Sequence, residues 1–476
     1  MTASAFDVCV IGGGAAGLSV AAGTSQLRLK TVLIERGAMG GECLNSGCIP
    51  SKALLAAGKA AHHRDVADIP GVSGGSAQVD FAAVKDGLRA VIAAIAPHDS
   101  VARFEQLGVT VLQDSARFVD SHSIEVGGAT LRARWFVVAT GSKPVVPKIP
   151  GLDPSKVLTN ETIFKLRDKP DHLVIVGGGP IGVELAIAHR RLGIAVTVLE
   201  RYSILPQDEP ELVEQLRDVL RREGITFWEH VEIVSIDHPP EGVVVRIRKD
   251  GLIHAVSGSH LLAAAGRQPV FEDLRLDAAG IAHSGRGIAV DARLRTSRRH
   301  IFALGDVIDA PHFTHIAGYQ AGIVVRNLAF RLPAKVDYQA LPWVTYADPE
   351  LAHVGLTEAE ARKHYGGKVQ IQHVILKRND RAVAERHFEG AIKIVLSSRD
   401  KIIGASILAP SAGEMIGLWC LAVRKKLSLR AITDLMLPYP TLGEIGKTAA
   451  SQHYQSILFS DKTRRLVRAL QWLPSW

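Results

Sequence analysis

The sequence predicts a soluble, multi-domain α/β protein built around two Rossmann-like dinucleotide-binding units. Three observations lead there. An apolar strand, a glycine-rich turn, a helical stretch, a second strand and a terminal acid follow one another near the N-terminus. The same order returns from residue 172 onward. The chain is 476 residues long with 47% hydrophobic and 22% charged residues, an ordinary globular composition. At about 100–200 residues per domain, that length allows two to four domains.

In the first unit, "DVCVI" (Asp7–Ile11) enters "GGGAAG" (Gly12–Gly17), and "KTVLIER" forms a second strand that reaches Glu35. Gly12, Gly14 and Gly17 take the three positions of a G-x-G-x-x-G turn. One makes the tight turn, one lets the backbone approach a pyrophosphate, and one lets helix and strand pack closely. The helix N-terminus offers its N–H groups to the phosphates. Glu35 stands where a carboxylate accepts hydrogen bonds from a ribose diol. In the second unit, "HLVIVGGGPIGVELAIAHRRLGIAVTVLER" repeats the device with Gly177, Gly179, Gly182 and Glu200. From Gly17 to Glu35 and from Gly182 to Glu200 the spacing is eighteen positions in both copies. A lone motif is weak, but two copies with flanking strands and matched acids are specific. Two such sites in one chain imply electron transfer between two dinucleotides, FAD and NAD(P). Glu200 would repel a 2′-phosphate and favours NAD, while the adjacent Arg201 softens that preference.

Lys and Arg number 56 against 48 Asp and Glu, a net charge of +8. No long basic run with interleaved aromatics occurs, which argues against nucleic-acid binding. The N-terminus lacks the basic and apolar regions of a secretory signal. No stretch reaches the roughly 20 apolar residues of a membrane span. A cytoplasmic location is the expectation.

Two of the four cysteines, Cys43 and Cys48, sit together in "GGECLNSGCIPSKALL". They could form a redox disulfide, contribute to a metal site or remain inert thiols. A disulfide needs Cα atoms about 4.4–6.8 Å apart, whereas five helical steps rise about 7.5 Å. An undistorted helix therefore cannot pair them, but Asn45, Ser46 and Gly47 favour a turn that brings them together. Pro50 suits the first turn of the helix that follows, and a thiolate there gains from the helix dipole. Zinc usually takes four ligands. Cys9 in an apolar strand, Cys420 in an apolar helix and the pair His62–His63 complete no recognised spacing, so no metal site is expected.

These segments resemble the flavin-dependent pyridine nucleotide–disulfide oxidoreductases, the group that includes dihydrolipoamide dehydrogenase, glutathione reductase and mercuric reductase. The resemblance covers nearly the whole chain. Beyond the two turns and the cysteine segment, it rests on "VVATGSKP" (Val137–Pro144), "AAGRQP" (Ala264–Pro269), "IFALGDV" (Ile301–Val307) and "YADPELAHVGLTEAEA" (Tyr346–Ala361). "CLNSGCIPSKALL" is most similar to dihydrolipoamide dehydrogenases. The resemblance implies a glutathione reductase-like fold. An FAD-binding domain (1–150 and 271–341) would enclose an NAD-binding domain (151–270). An α+β interface domain (342–476) would make a homodimer and lend residues to the partner's active site. Cys43 would be the interchange thiol facing substrate and Cys48 the charge-transfer thiol facing the flavin. Lys52 and Glu184 would meet beside the flavin. Gly141 and Asp306 would contact FAD, and Gly266 and Arg267 would belong to the cofactor-binding set.

One position departs from the pattern. Family disulfide reductases carry a His-Pro-Thr segment whose histidine, oriented by a glutamate five residues later, moves the proton for thiol–disulfide exchange. Here Pro440, Thr441 and Glu444 are present, but position 439 is tyrosine. A phenol with a pKa near 10 is a poor base at neutral pH. Tyr439 can donate a hydrogen bond, or act as a base only if its surroundings lower its pKa. The leading expectation is a dihydrolipoamide dehydrogenase-like enzyme acting on a dithiol or disulfide. The alternative is an NADH-dependent reductase of metal ions, quinones or other small oxidants, and a non-enzymatic redox sensor stands behind both. The extra C-terminal cysteine pair of mercuric reductases is absent, which sets mercury aside as main substrate. The tail "LFSDKTRRLVRALQWLPSW" has Leu466, Leu470 and Leu473 on one stripe and Arg464 and Arg468 elsewhere. That pattern suits packing within a dimer, or docking on a membrane or partner.

Overall fold

The computed structural model describes residues 4–473 apart from 66–70, 73 and 76. Strand Ser4–Ile11 lies at the centre of the first sheet, parallel to Thr31–Ile34 on one side and to Ala129–Val138 on the other. Thr110–Leu112 extends one flank, and antiparallel strands Ser123–Val126 and Ala116–Asp120 extend the other. Helices cover this sheet, so Val8, Val10, Val32 and Leu33 are wholly buried. Burial on both faces explains why these strands read as continuous apolar runs rather than alternating ones.

The second sheet is all-parallel, in the spatial order Ile225–Trp228, Ala195–Leu199, His172–Val176, His260–Ala263 and Val157–Leu158. An antiparallel ribbon, Ser142–Pro144 against Arg267–Pro269, joins the chain leaving the first sheet to the chain coming back. Strand Ile301–Ala303 then pairs with Ala129–Val138, so the returning chain rejoins its first sheet.

The last unit is a five-stranded antiparallel sheet in the order Pro342–Thr345, Glu350–Gly355, Ile402–Ala409, Ala391–Leu396 and Gln370–Ile375. Helices Ala412–Arg424 and Glu444–Leu458 share its core through Ile416, Trp419, Ile445 and Ala449. The C-terminal helix Asp461–Leu470 has no buried residue. Among the described residues, no helix is long and apolar enough to cross a membrane.

A buried ammonium joins the second and third units. The Lys393 side chain is 4% exposed, and its Nζ lies 2.8 Å from Glu209 and 2.7 Å from Glu358. It also contacts Glu211. These carboxylates are the one described group close enough to share a cation, and Lys393 already occupies its centre. Removing one member of a buried pair leaves an uncompensated charge, a loss of about 3–5 kcal/mol. Lys393→Met is therefore expected to destabilise the protein by that order in chemical denaturation. An unchanged midpoint would show that the glutamates are not held by this ammonium.

Candidate active site

The two glycine turns have the same geometry. Gly12 and Gly177 are left-handed, with φ of +110° and +113°. An added Cβ would strike the carbonyl of Ala139 in the first copy and of Ala264 in the second. At Gly17 and Gly182 it would strike the carbonyls of Gly12 and Gly177, so helix and turn touch backbone to backbone. Gly14 and Gly179 are the N-caps of helices Ala15–Gln26 and Pro180–Arg191, and no side chain caps either helix. An added Cβ at Gly14 would meet only Gly41 Cα at 3.8 Å, and one at Gly179 nothing within 4 Å. First-turn N–H groups thus open onto unobstructed space, as pyrophosphate binding requires.

Glu35 accepts hydrogen bonds from Gly13 N–H at 2.5 Å and Gly37 N–H at 2.6 Å. Glu200 accepts from Gly178 at 2.6 Å and Tyr202 at 2.9 Å. Each acid closes its own glycine loop while its oxygens keep lone pairs for ribose hydroxyls. Gly141 (φ +69°) and Gly266 (φ +116°) also have nothing within 4 Å of an added Cβ. The residues present fit two dinucleotides.

The cysteine segment breaks into two helices. Cys43 lies in Gly41–Asn45, and Cys48 begins Cys48–Asp65. Asn45 Nδ2 bonds the Gly41 and Met39 carbonyls at 2.7 and 3.1 Å, which closes the short helix. At Gly47 an added Cβ would lie 3.2 Å from Cys43 Cα, so the backbone doubles back on the first cysteine. The two thiols are not covalently joined, and the Cys43 thiol hydrogen-bonds the Cys48 sulfur. Thr314 Oγ1 lies 3.4 Å from Cys48 Sγ. The Cys43 hydrogen bond, Thr314 and the Lys52 charge together push the Cys48 pKa down to about 6, against burial and Glu184. That same hydrogen bond and burial push Cys43 strongly up. The pair divides into a thiolate at Cys48 and a thiol at Cys43.

Lys52 and Glu184 meet: Nζ is 2.7 Å from Oε2, and the other Glu184 oxygen accepts Tyr346 N–H at 3.0 Å. Lys52 Nζ also sits 4.3 Å from the centre of the Tyr346 ring. Asp306 accepts from Ser142 Oγ at 2.7 Å. Arg267 directs its guanidinium at protein groups. Nη1 bonds Glu42 Oε1 at 2.7 Å, Nη2 bonds the other Glu42 oxygen, and Nε bonds Ser142 Oγ at 2.8 Å.

Position 439 has a different partner from the one the resemblance implies. Tyr439 is 70% exposed and donates its hydroxyl to Asp380 Oδ2 at 3.0 Å. The carboxylate raises the phenol's pKa, away from use as a base. Glu444 accepts Thr441 N–H at 3.2 Å and makes no hydrogen bond to Tyr439. His453 Nε2 lies 3.4 Å from Asp400. Sequence reasoning missed Asp380, Thr314 and Glu42. Only Glu42, beside Cys43, carried a local signal, a charge within the motif.

Residues 6–321 match the pyridine nucleotide-disulphide oxidoreductase family, and residues 341–450 match its dimerisation domain, the part that forms the homodimer. A mercuric reductase of Streptomyces lividans is 33% identical over 453 residues, covering 94% of this chain and 95% of that protein. A dihydrolipoyl dehydrogenase of Bacillus subtilis is 32% identical over 453 residues, covering 93% and 95%. The structure of the HOCl-induced flavoprotein disulfide reductase RclA from Escherichia coli superposes with a TM-score of 0.82 at 27% identity, covering 94% and 99%. Its Cu(II) complex superposes at 0.84.

The thiolate assignment predicts a pH profile. Cys48 alkylation by iodoacetamide in the reduced protein rises with a midpoint near pH 6. Cys43→Ala removes the stabilising donor and moves that midpoint up by about one unit or more. A midpoint unmoved by Cys43→Ala would show that Cys43 does not stabilise the thiolate.

Proposed function

The chain belongs to the pyridine nucleotide-disulphide oxidoreductase family, and we propose that it is an FAD-dependent, NADH-linked reductase whose Cys43–Cys48 pair reduces a small oxidant or metal ion. One observation carries the choice of acceptor. Tyr439, standing where the family's disulfide reductases have a proton-transferring histidine, donates to Asp380 and has its pKa raised. Asp380 therefore keeps the phenol protonated, and no base acts at that position near neutral pH. FAD, held by the first glycine turn and Glu35, would supply two-electron transfer between a nicotinamide and the cysteines. The chain's own groups do the rest. The turns at Gly12–Gly17 and Gly177–Gly182 hold the two pyrophosphates. Glu200 discourages a 2′-phosphate and so favours NADH. The Lys52 ammonium, fixed by Glu184, sets a positive charge beside Cys48 and opposes negative charge developing on a reduced flavin. Re-forming the Cys43–Cys48 disulfide releases two electrons to the acceptor and the Cys43 proton to solvent.

The mercuric reductase relative and the Cu(II) complex of the Escherichia coli protein support an acceptor of this kind. The first-ranked expectation from sequence, a dihydrolipoamide dehydrogenase-like enzyme, stands as the second reading. It is supported by "CLNSGCIPSK" and by the Bacillus subtilis relative. A cytoplasmic location belongs to the same reading.

The test is an acceptor screen with NADH and NADPH on the flavin-loaded protein, comparing wild type, Tyr439→Phe and Tyr439→His. Cu(II) or quinone acceptors are expected to turn over with NADH, and Tyr439→Phe to change this by less than about threefold, since no acid–base step is lost. Tyr439→His is expected to raise dihydrolipoamide turnover by about 10- to 100-fold, the lower range of a supplied general base. Brisk wild-type dihydrolipoamide oxidation, with small oxidants left untouched, would sink the proposal and leave the second reading.

A further inference from the structure

The turn that separates the two cysteines is gripped from outside by the second nucleotide-binding unit. Asn160, 7% exposed, follows the strand Val157–Leu158. Its side-chain amide donates to the Ser46 carbonyl at 3.0 Å and also to Glu42 Oε1. Glu42 immediately precedes Cys43, and Ser46 lies two residues before Cys48. One amide therefore spans the segment that sets the cysteine separation. Glu42 is held on its far side by two guanidinium nitrogens of Arg267, a geometry that fixes direction as well as distance. Arg267 is braced in turn by the Ser142 carbonyl at 3.0 Å and hydroxyl at 2.8 Å, and Ser142 by Asp306 at 2.7 Å. Arg267 and Ser142 belong to the ribbon that crosses between the two nucleotide units.

We propose that Asn160, Glu42 and Arg267 form a positioning clamp that sets the approach of Cys43 to Cys48 and so tunes their dithiol–disulfide equilibrium. The clamp deepens the reading of Cys43–Cys48 as a redox pair and rests on it. None of the three residues acts on substrate; they act through the turn. A gripped turn holds the sulfurs within reach, which favours the disulfide and keeps the Cys43 thiol bonded to the Cys48 thiolate. A loosened turn weakens both at once. The charged and titratable groups facing Cys48 are Cys43, Lys52, Glu184 and Tyr346, and none of them is altered by substitutions at 42 or 160.

The experiment equilibrates the flavin-loaded protein with glutathione buffers, where Cys43 and Cys48 thiols plus oxidised glutathione give the intramolecular disulfide and two reduced glutathiones. Acid quenching, maleimide trapping and peptide mass analysis then give the ratio. Asn160→Ala and Glu42→Gln are each expected to shift the equilibrium about threefold or more toward the dithiol, the size a lost hydrogen bond carries. Both are expected to raise the pH midpoint of Cys48 alkylation, and Arg267→Lys to give an intermediate shift in both readouts. A purely structural role would lower thermal stability and leave the alkylation midpoint alone, which overturns the clamp. Should Glu42→Gln fail to fold, Asn160→Ala, a neutral replacement that leaves the ion pair intact, decides by itself. If wild-type protein forms no Cys43–Cys48 disulfide, the redox reading falls and the clamp with it. If wild type forms it and the folded variants match wild type, the clamp alone falls.

Discussion

A carboxylate reaching back to a glycine N–H, Glu35 to Gly13 at 2.5 Å and Glu200 to Gly178 at 2.6 Å, is the constraint on which both nucleotide turns depend. Each bond crosses from the end of one strand to the turn after its neighbour. It holds the turn in the one shape that leaves a helix N-terminus uncapped. Helix ends with unsatisfied N–H groups are normally closed by a side chain. Leaving two of them open, with glycine at the cap, reserves that hydrogen-bonding capacity for phosphate. The other two glycines in each motif are fixed by contact rather than by ligand, because a Cβ at either would occupy the space of a carbonyl.

The redox turn depends on the same framework at one remove. Helix Cys48–Asp65 lies against helix Pro180–Arg191, close enough that a Cβ at Gly58 would sit 3.0 Å from the Ala188 carbonyl. That packing brings Lys52 to Glu184 at 2.7 Å. Glu184 is nearly buried and the Tyr346 ring lies against Lys52, so the ammonium is anchored from two sides. Fixed positive charge near Cys48, with a thiol donor beside it, makes the thiolate the stable form of that cysteine. Position along the helix, packing between helices and thiol chemistry are thus one chain of causes.

What the sequence made legible follows from how local each signal is. The glycine turns, their acids and the cysteine segment are contiguous patterns, and the fold class came from two copies of one such pattern. Glu35 and Glu200 could be read from spacing, although their bonds to the turn N–H groups could not. Lys52 with Glu184, 132 positions apart, was reachable only by resemblance. The pairing of Arg267 with Glu42 spans 225 positions and that of Tyr439 with Asp380 spans 59. Polar contacts of that kind have no periodicity and no fixed offset, since they arise where elements distant in the chain touch. For Tyr439 the sequence identified the unusual residue and a local acid, Glu444, but the acid that meets the phenol comes from another element.

The proton demand of the acceptor is where these features converge. A thiol and a thiolate that close to a disulfide while reducing a metal ion shed a proton, and solvent takes it. Moving electrons between that pair and an external dithiol is different, because mixed disulfides form and each attacking or leaving sulfur must lose or gain a proton in place. The second task needs a group that alternates between acid and base near pH 7, as an imidazole does. Asp380 accepts the one O–H of Tyr439 and so holds the phenol in its protonated form. Cys48 is ionised by its own surroundings, whereas Cys43, the thiol that would face substrate, is pushed up and would need a base to attack an external disulfide. On the proposed reading, the chain therefore suits an acceptor that asks for no proton at position 439.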